Sequence, residues 1–434
     1  MKKYFSAAIF AAILLSISAS AWCDSPVLYQ DPETGQVFTK PAEGRVPVDL
    51  STLTQAPAAQ AAPAPEAAAA PAGDYSSQAF KDAVTNAIGE KESNTFPKVK
   101  IGGLFYGEYY YDFEKHNTTA DPTPTNAAHR DPRDAFTLNR GYINVLADMS
   151  PEISARATSD ITRDSSGNWE YRLKYGYLDF HNFLGFYPSL EVKMGQAQTA
   201  FLDYEENLWE YRVIDPMIMD KEGFMQSADL GVFLKGKIPA GYGDYQVDVI
   251  NGEGYHAAEA NKYKSVEGRL TVTPIPQWDM TKGLQFTAFV NEGKKDYEHK
   301  MDRYVGFIGY KYQNDIFLGC EYDITRGTDP YITTTALGLP AGQFNAHGHG
   351  ISGLAWVRIP FLQPVRILGR FDKFDHNDKT TDSTLHRWYY GASYDVSKNV
   401  MFVLDDETTD LDNHLIAAGL KKENLMKVDV QWSF

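Results

Sequence analysis

From Pro97 to the last residue, Phe434, apolar and polar residues alternate in short stretches with a period of two. The final stretch shows the pattern most clearly, with Met426, Val428, Val430, Trp432 and Phe434 alternating with Lys427, Asp429, Gln431 and Ser433. Successive side chains of a β-strand point to opposite faces, so each stretch predicts a strand with one apolar and one polar face. About 16 such stretches occur: near 98–113, 136–148, 152–163, 171–180, 189–201, 225–237, 244–251, 264–273, 283–291, 302–313, 315–325, 349–358, 364–374, 385–396, 399–405 and 424–434.

The connections between these stretches alternate between long and short. The long, charged ones occupy residues 114–135, 164–170, 202–224, 252–263, 292–301, 326–348, 375–384 and 406–423. Tight ones lie at 150–151, 238–244, 314, 360–364 and 397–398, and those at 181–188 and 274–282 are intermediate. Transmembrane barrels have long outer loops and short periplasmic turns, whereas a soluble propeller has no reason to sort its loops in this way. We therefore predict an all-β fold, a transmembrane antiparallel β-barrel of about 16 strands over residues 97–434.

Composition excludes two other classes of protein. The mean hydropathy is −0.39 and only residues 4–22 approach an apolar run, so a bundle of membrane helices, which needs about 20 apolar residues per span, is excluded. With 57 acidic and 41 basic side chains the net charge is −16, which argues against nucleic acid as a partner. The aromatic content of 13% fits strands, with residues such as Tyr109, Trp388 and Tyr390 expected in the interfacial girdles.

The first 96 residues differ from the rest. Lys2 and Lys3, an apolar run and the small residues 19–21 predict a signal peptide over residues 1–21. Residues 22–96 are then a largely disordered periplasmic arm, with an Ala/Pro linker at 55–73 and a short amphipathic helix at 76–92 that docks on the barrel, plugs it or mediates oligomerisation. Only two cysteines occur, Cys23 and Cys320, so no disulfide framework is expected.

The polar face of the strands carries basic residues that are expected to point into the barrel. The candidates for the pore lining are Arg156, Arg172, Lys174, Lys193, Arg269, Arg366, Arg370 and Arg387, with Lys235 and Arg140 as further possibilities. Two interpretations remain open. The cations select anions, for which arginine forks suit tetrahedral oxyanions, or they form ion pairs with interior acids such as Asp160, Asp372 and Asp395.

The connection 202–224 is long and rich in acidic residues. Its candidate residues for a constriction are Glu205, Glu206, Glu210 and Arg212. If the segment folds inward, its acidic edge faces the basic wall and sets up a transverse field that orients polar solutes. Otherwise it is a solvated surface loop.

Other motifs predict no catalytic or metal site. His347, Gly348 and His349 lack a nearby third ligand, and Asp375, Asn377 and Asp378 lack the glycine and distal glutamate of a calcium loop. No nucleophile elbow, haem attachment motif or P-loop occurs in the sequence. We therefore predict no enzyme, no cofactor and no metal.

The terminal strand, Val428 to Phe434, resembles the last strand of bacterial outer-membrane porins. That strand ends in an aromatic residue that is recognised during barrel assembly. The resemblance covers residues 97–434. It implies an outer-membrane location, the barrel-assembly machinery as a partner and Trp432 and Phe434 as the assembly signal. The stretch Gly195 to Phe201, followed by Glu206, Arg212 and Asp229 to Val232, resembles the phosphate-selective porin O/P group, although Gln198 stands where that group has lysine.

Together these features predict a water-filled porin, a homotrimer in the outer-membrane lipid, for passive diffusion of small hydrophilic solutes. Small oxyanions, phosphate-like or selenite-like, are the expected preferred solutes. The alternative is a barrel that encloses or partners a multihaem cytochrome as an electron conduit. The observation that supports this alternative is the long periplasmic arm, which a simple diffusion pore does not need.

Overall fold

The structure is a computed structural model that describes residues 97–113, 134–164, 166–185, 187, 189–259, 261–294, 300–327, 346–379, 381–417 and 420–434. It also describes the backbone of three two-residue strands, Tyr29–Gln30, Val37–Phe38 and Val46–Pro47, which form a small antiparallel sheet with the first strand in the middle. This sheet belongs to a unit spanning Met1–Ala68, separate from the unit Ala69–Phe434. The predicted signal peptide (1–21), the linker 55–73 and the helix 76–92 lie outside the described residues.

Sixteen antiparallel strands form a closed barrel in residues 98–433. The strands are β1 Lys98–Asp112, β2 Asp134–Ser150, β3 Ile153–Arg163, β4 Trp169–His181, β5 Glu191–Gln198, β6 Ala228–Ile238, β7 Gly243–Ile250, β8 Ser265–Val272, β9 Leu284–Glu292, β10 Met301–Tyr312, β11 Ile316–Gly327, β12 Ala346–Arg358, β13 Val365–Asp375, β14 Thr384–Ser397, β15 Val400–Leu411 and β16 Glu423–Ser433. Each strand pairs with its sequence neighbours, and β16 closes the barrel against β1. The predicted fold class and strand number are confirmed.

The connections sort into two ends of the barrel, as the sequence predicts. At one end lie the long connections, of which 199–227 is the longest, and at the other end lie short turns such as 151–152 and 398–399. Three short α-helices occur in the described residues between the strands, α1 Leu202–Trp209, α2 Ile218–Lys221 and α3 Asn413–Ala417, together with one turn of 3₁₀ helix at Pro239–Gly241. None of these described helices is long and apolar enough to cross a membrane.

The exterior and interior of the wall carry the two residue classes that the alternation predicts. On β7, Val247 and Val249 are about half exposed, whereas Gln246 and Asp248 between them are buried. The exterior is therefore apolar and suits lipid, and closure leaves no strand edge with unpaired backbone groups in the hydrocarbon layer.

The C-terminal strand closes the barrel with aromatic contacts on its exterior. Trp432 stacks on Phe105 of β1 with ring centroids 5.3 Å apart, and Phe434 lies 6.0 Å from the same ring. The backbone of Phe434 exchanges two hydrogen bonds with Gly103, of 3.0 and 3.1 Å. Thus both proposed residues of the assembly signal lie where the last strand meets the first.

Two predictions about the wall need correction. The strand predicted at 399–405 runs on to Leu411, because Asp405 and Glu407 point inward toward Lys427 instead of starting a loop. The interior face is also not polar throughout. Phe289, Phe307, Phe317 and Trp356 are interior and at most 1% exposed, because the connection 199–227 covers them.

Candidate functional site

The connection 199–227 folds into the barrel, and its apolar residues explain why. Leu202, Trp209, Met217, Ile218 and Met219 are completely buried. They belong to one cluster with the interior aromatic residues of the wall. Phe201 lies 5.4 Å from Phe289, and Phe224 stacks on Phe374 at 4.9 Å. Burying each large apolar side chain contributes roughly 1.5–3 kcal/mol, so this cluster favours the inward position of the segment.

Buried ion pairs fix the same segment to the wall. Glu210 ends helix α1 in the left-handed conformation, with φ of 68°. Its carboxylate accepts a hydrogen bond of 2.6 Å from Arg366 and also contacts Lys311. Glu222 accepts a hydrogen bond of 2.9 Å from Arg387. Burial alone raises the pKa of Glu222, but Arg387 and His376 outweigh it and lower the pKa to about 2.

Four further cations of the wall donate to backbone carbonyls of the segment. Arg269 donates to Ala200 at 2.7 Å and Arg303 to Phe224 at 3.1 Å. Arg370 donates to Pro216 at 2.6 Å and Lys427 to Ile214 at 2.8 Å. Their strands, β8, β10, β13 and β16, lie at well-separated positions around the barrel, so the segment lies within it. Of the two alternatives for the connection, the inward fold is the one observed.

One face of α1 packs against acids of the wall. Glu205 is completely buried, as are Glu321 and Asp323 of β11. Burial and the neighbouring Glu321 raise the pKa of Glu205 well above its usual range. The docked α1 therefore places an acidic side chain among acids of the wall, a contact that ionisation of all three carboxyl groups disfavours.

The opposite face of α1 borders a cavity of about 90 Å³ against β1–β4. Lys174, 7% exposed, reaches it and donates to Tyr142 Oη at 3.4 Å, with its ammonium 4.7 Å from the centroid of the Tyr142 ring. Arg156 also lines the cavity, donating to Asn144 at 2.8 Å with its guanidinium 4.5 Å above the Tyr175 ring. Aromatic and neutral polar groups thus contact both cations of this wall.

The α1 side of the cavity is acidic. Asp203 accepts a hydrogen bond of 3.3 Å from Tyr175 of the wall, and Glu206 pairs with Arg212 at 2.7 Å. Carboxylates on α1 thus face Arg156 and Lys174 across the cavity, so a polar solute inside it meets charges of opposite sign on two sides.

The other predicted basic residues lie elsewhere in the interior. Arg172, near the long-loop end, contacts Glu170 and His256, and Lys193, toward the short-turn end, donates to Gln198 at 3.4 Å. Arg269, Arg366, Arg370 and Arg387 are buried at the contact with the inward segment. Among them, Arg370 also pairs with Asp372 at 2.6 Å. Of the eight predicted basic residues, two therefore lie at the cavity, four contact the inward segment and two lie elsewhere.

Sequence reasoning missed the interior tyrosines. Tyr106, Tyr142 and Tyr175 line the cavity, whereas the sequence assigned aromatic residues to the exterior girdles. Their position was readable in part, since Tyr142 follows Arg140 by two residues and so shares its face of β2.

Comparisons with known proteins show which solved structures share this architecture. No family model matches the chain, and no curated protein matches it by sequence. Solved structures do match. The outer-membrane channel DcaP of Acinetobacter baumannii is 13% identical with a TM-score of 0.53, the match covering 79% of this chain and 99% of that one.

Two other porins give similar values. OprB of Pseudomonas putida is 8% identical with a TM-score of 0.54, covering 85% of this chain and 100% of that one. The anion-selective porin of Comamonas acidovorans is 10% identical with a TM-score of 0.53, covering 78% and 100%. At these identities the likeness shows the fold. The chain therefore has the 16-stranded barrel fold seen in bacterial outer-membrane porins.

Proposed function

We propose that this protein is a water-filled channel through which small hydrophilic solutes diffuse passively across the outer membrane. The observation that carries the proposal is the inward segment 199–227, which fills part of the interior and borders a polar cavity between α1 and β1–β4. A closed wall with a polar passage lets solutes cross without entering lipid. The barrel fold shared with known porins supports the same function.

We further propose that the passage favours small oxyanions. Lys174 and Arg156 contribute two positive charges to the cavity wall, where Lys174 donates to Tyr142 and Arg156 donates to Asn144 and Thr158. Such cations offer donors to an anion that has lost part of its hydration shell. The carboxylates of Asp203 and Glu206 oppose them, so the preference is for small anions that fit against the basic wall and not for bulk anion flow.

The test is ion selectivity in a planar bilayer. The reversal potential in a potassium phosphate gradient is expected to show anion preference in the wild type, and the double variant Arg156→Gln/Lys174→Gln is expected to shift it toward cations. The matched control Lys282→Gln/Lys300→Gln removes two exposed cations from connections far in sequence from the cavity lining and is expected to leave the potential unchanged. Equal shifts in the two double variants would show that the cavity cations do not set selectivity.

The oligomer is part of the same proposal. We propose a homotrimer, and chemical crosslinking in membranes tests this proposal. A crosslinked species of three chains is expected, and it should be absent when the crosslinker is limiting.

The alternative, a sheath around a multihaem cytochrome, has less support because the inward segment takes up interior space that such a partner would need. Haem absorbance in the purified barrel would favour that alternative, and open channels without haem would count against it.

A further inference from the structure

A group of metal-ligand side chains lies near the short-turn end of the barrel, away from the inward segment. Asp179 and His181 are two residues apart on β4, and Glu191 of β5 is paired directly opposite His181. One ligand atom from each of the three lies within 4.8 Å of the other two, and His181 Nδ1 is 3.8 Å from Asp179 Oδ1. Among the described residues, no other group of three His, Cys, Asp or Glu side chains meets this spacing.

A contact from a third strand orients the imidazole. Nε2 of His181 lies 3.0 Å from Oγ of Ser154 on β3. When Nε2 carries the proton and donates it to Ser154, Nδ1 keeps its lone pair on the side of the two carboxylates. Metal-binding histidines commonly donate their second nitrogen in this way, which fixes the ring and strengthens the ligand.

The charges around the group decide which cations it suits. Lys193 is paired opposite Asp179, and Lys235 is paired opposite Glu191, so two basic residues neighbour the two acids and interact with them electrostatically. A cation attracted by charge alone, such as Ca²⁺, gains little here, because the local charge is balanced. A cation that also bonds to imidazole nitrogen gains more, and Zn²⁺ prefers this mixture of one nitrogen and carboxylate oxygens.

We propose that Asp179, His181 and Glu191 form a binding site for Zn²⁺ or a similar transition-metal dication inside the periplasmic mouth of the barrel. The His181 side chain is 27% exposed, so an ion reaches it from the interior. Three protein ligands leave a coordination position open to water or to a passing anion. The site adds positive charge to the interior, and its occupancy strengthens anion preference independently of Lys174.

The experiment is a calorimetric titration of the chelator-stripped, folded barrel in detergent with zinc chloride and, separately, calcium chloride. We expect about one Zn²⁺ per chain and no heat from Ca²⁺ at the same concentrations. His181→Asn is expected to weaken Zn²⁺ binding at least about tenfold, and Ser154→Ala, which loses only the orienting contact, by about tenfold. Glu191→Gln provides a second ligand variant if His181→Asn folds poorly.

The control is His347→Asn/His349→Asn, which removes the two histidines of the Gly-separated pair on β12 and is expected to leave Zn²⁺ binding intact. Zinc binding that survives His181→Asn but is lost in this control would overturn the site, as would Ca²⁺ binding as tightly as Zn²⁺. Failure of this titration leaves the channel proposal standing, since conductance of the metal-free barrel is measured separately.

Discussion

The pair between Glu210 and Arg366 offers a direct test of how the inward segment is held. The two side chains are 2% and 1% exposed, and their charged atoms lie 2.6 Å apart. Glu210→Gln removes the carboxylate from Arg366 and Lys311, and Arg366 keeps only its longer contact of 3.5 Å with Asp395. Breaking a buried pair from one side costs up to about 3–5 kcal/mol, and the remaining contact of Arg366 with Asp395 places this variant toward the lower end of that range. That range corresponds to roughly two to three and a half orders of magnitude in the docking equilibrium of the segment around Glu210.

The reverse substitution is expected to cost less. In Arg366→Gln the carboxylate of Glu210 keeps Lys311, and the loss is about 1.5–3 kcal/mol, typical of a hydrogen bond to a charged group. The other anchors, such as the 2.9 Å pair of Glu222 and Arg387, remain in both variants, so the release is local.

Single-channel recording measures this release. We expect Glu210→Gln to spend more time in a state of higher conductance than Arg366→Gln, which in turn exceeds the wild type. Glu259→Gln is the matched control, because it removes a carboxylate from a solvent-exposed pair with Lys264. If Glu210→Gln records like this control, the buried pair does not hold the segment and the reasoning is refuted.

Three further predictions concern acidity, the wall and assembly. The pKa of Glu222 falls from its ordinary 4.5 to about 2 in the folded protein, so the ionised carboxylate stabilises the inward segment fully above pH 4.5 and loses this effect as the pH falls toward 2. The conductance of the wild type is therefore expected to rise as the pH is lowered over this range, and the conductance of Glu222→Gln is expected to lack this pH dependence. Gly195 has φ of +125°, and a Cβ there would lie 2.4 Å from a carbonyl oxygen of β4. Gly195→Ala is therefore expected to lower the refolding yield, measured by heat-modifiable migration on a gel. Gly268→Ala, which has open space around its Cβ, is expected to leave the refolding yield unchanged. Deleting Phe434 removes the two backbone hydrogen bonds to Gly103 and is expected to reduce barrel assembly, seen as less folded protein in membrane fractions; normal assembly would argue against an assembly signal at this residue.

Most of the wall could be predicted because one simple rule applies to every strand. Val428 and Val430 face lipid while Lys427 and Asp429 face the interior, and the same division recurs around the barrel. The rule fails where a local run of charge imitates a loop, as at Asp405, where the strand continues to Leu411.

The site was less predictable, because it depends on contacts between distant segments. The acids of 202–224 were visible in sequence, but their partners lie far away in the chain, as Arg366 lies 156 residues from Glu210. The buried Trp209 and Met219 were a signal for inward folding, since a solvated loop has little use for them. Predicting the environment of Lys174 requires the register of β4 with its neighbouring strands and the interior position of Tyr142. No single stretch of sequence contains this information.

The central claim is that the inward segment sets the width and selectivity of a water-filled channel. Its most direct test is the conductance of the barrel with residues 202–224 replaced by a short Gly/Ser linker, compared with the wild type under the same salt. We predict a conductance several-fold higher, together with weaker discrimination between anions and cations. Unchanged conductance and selectivity in a correctly folded variant would contradict the claim.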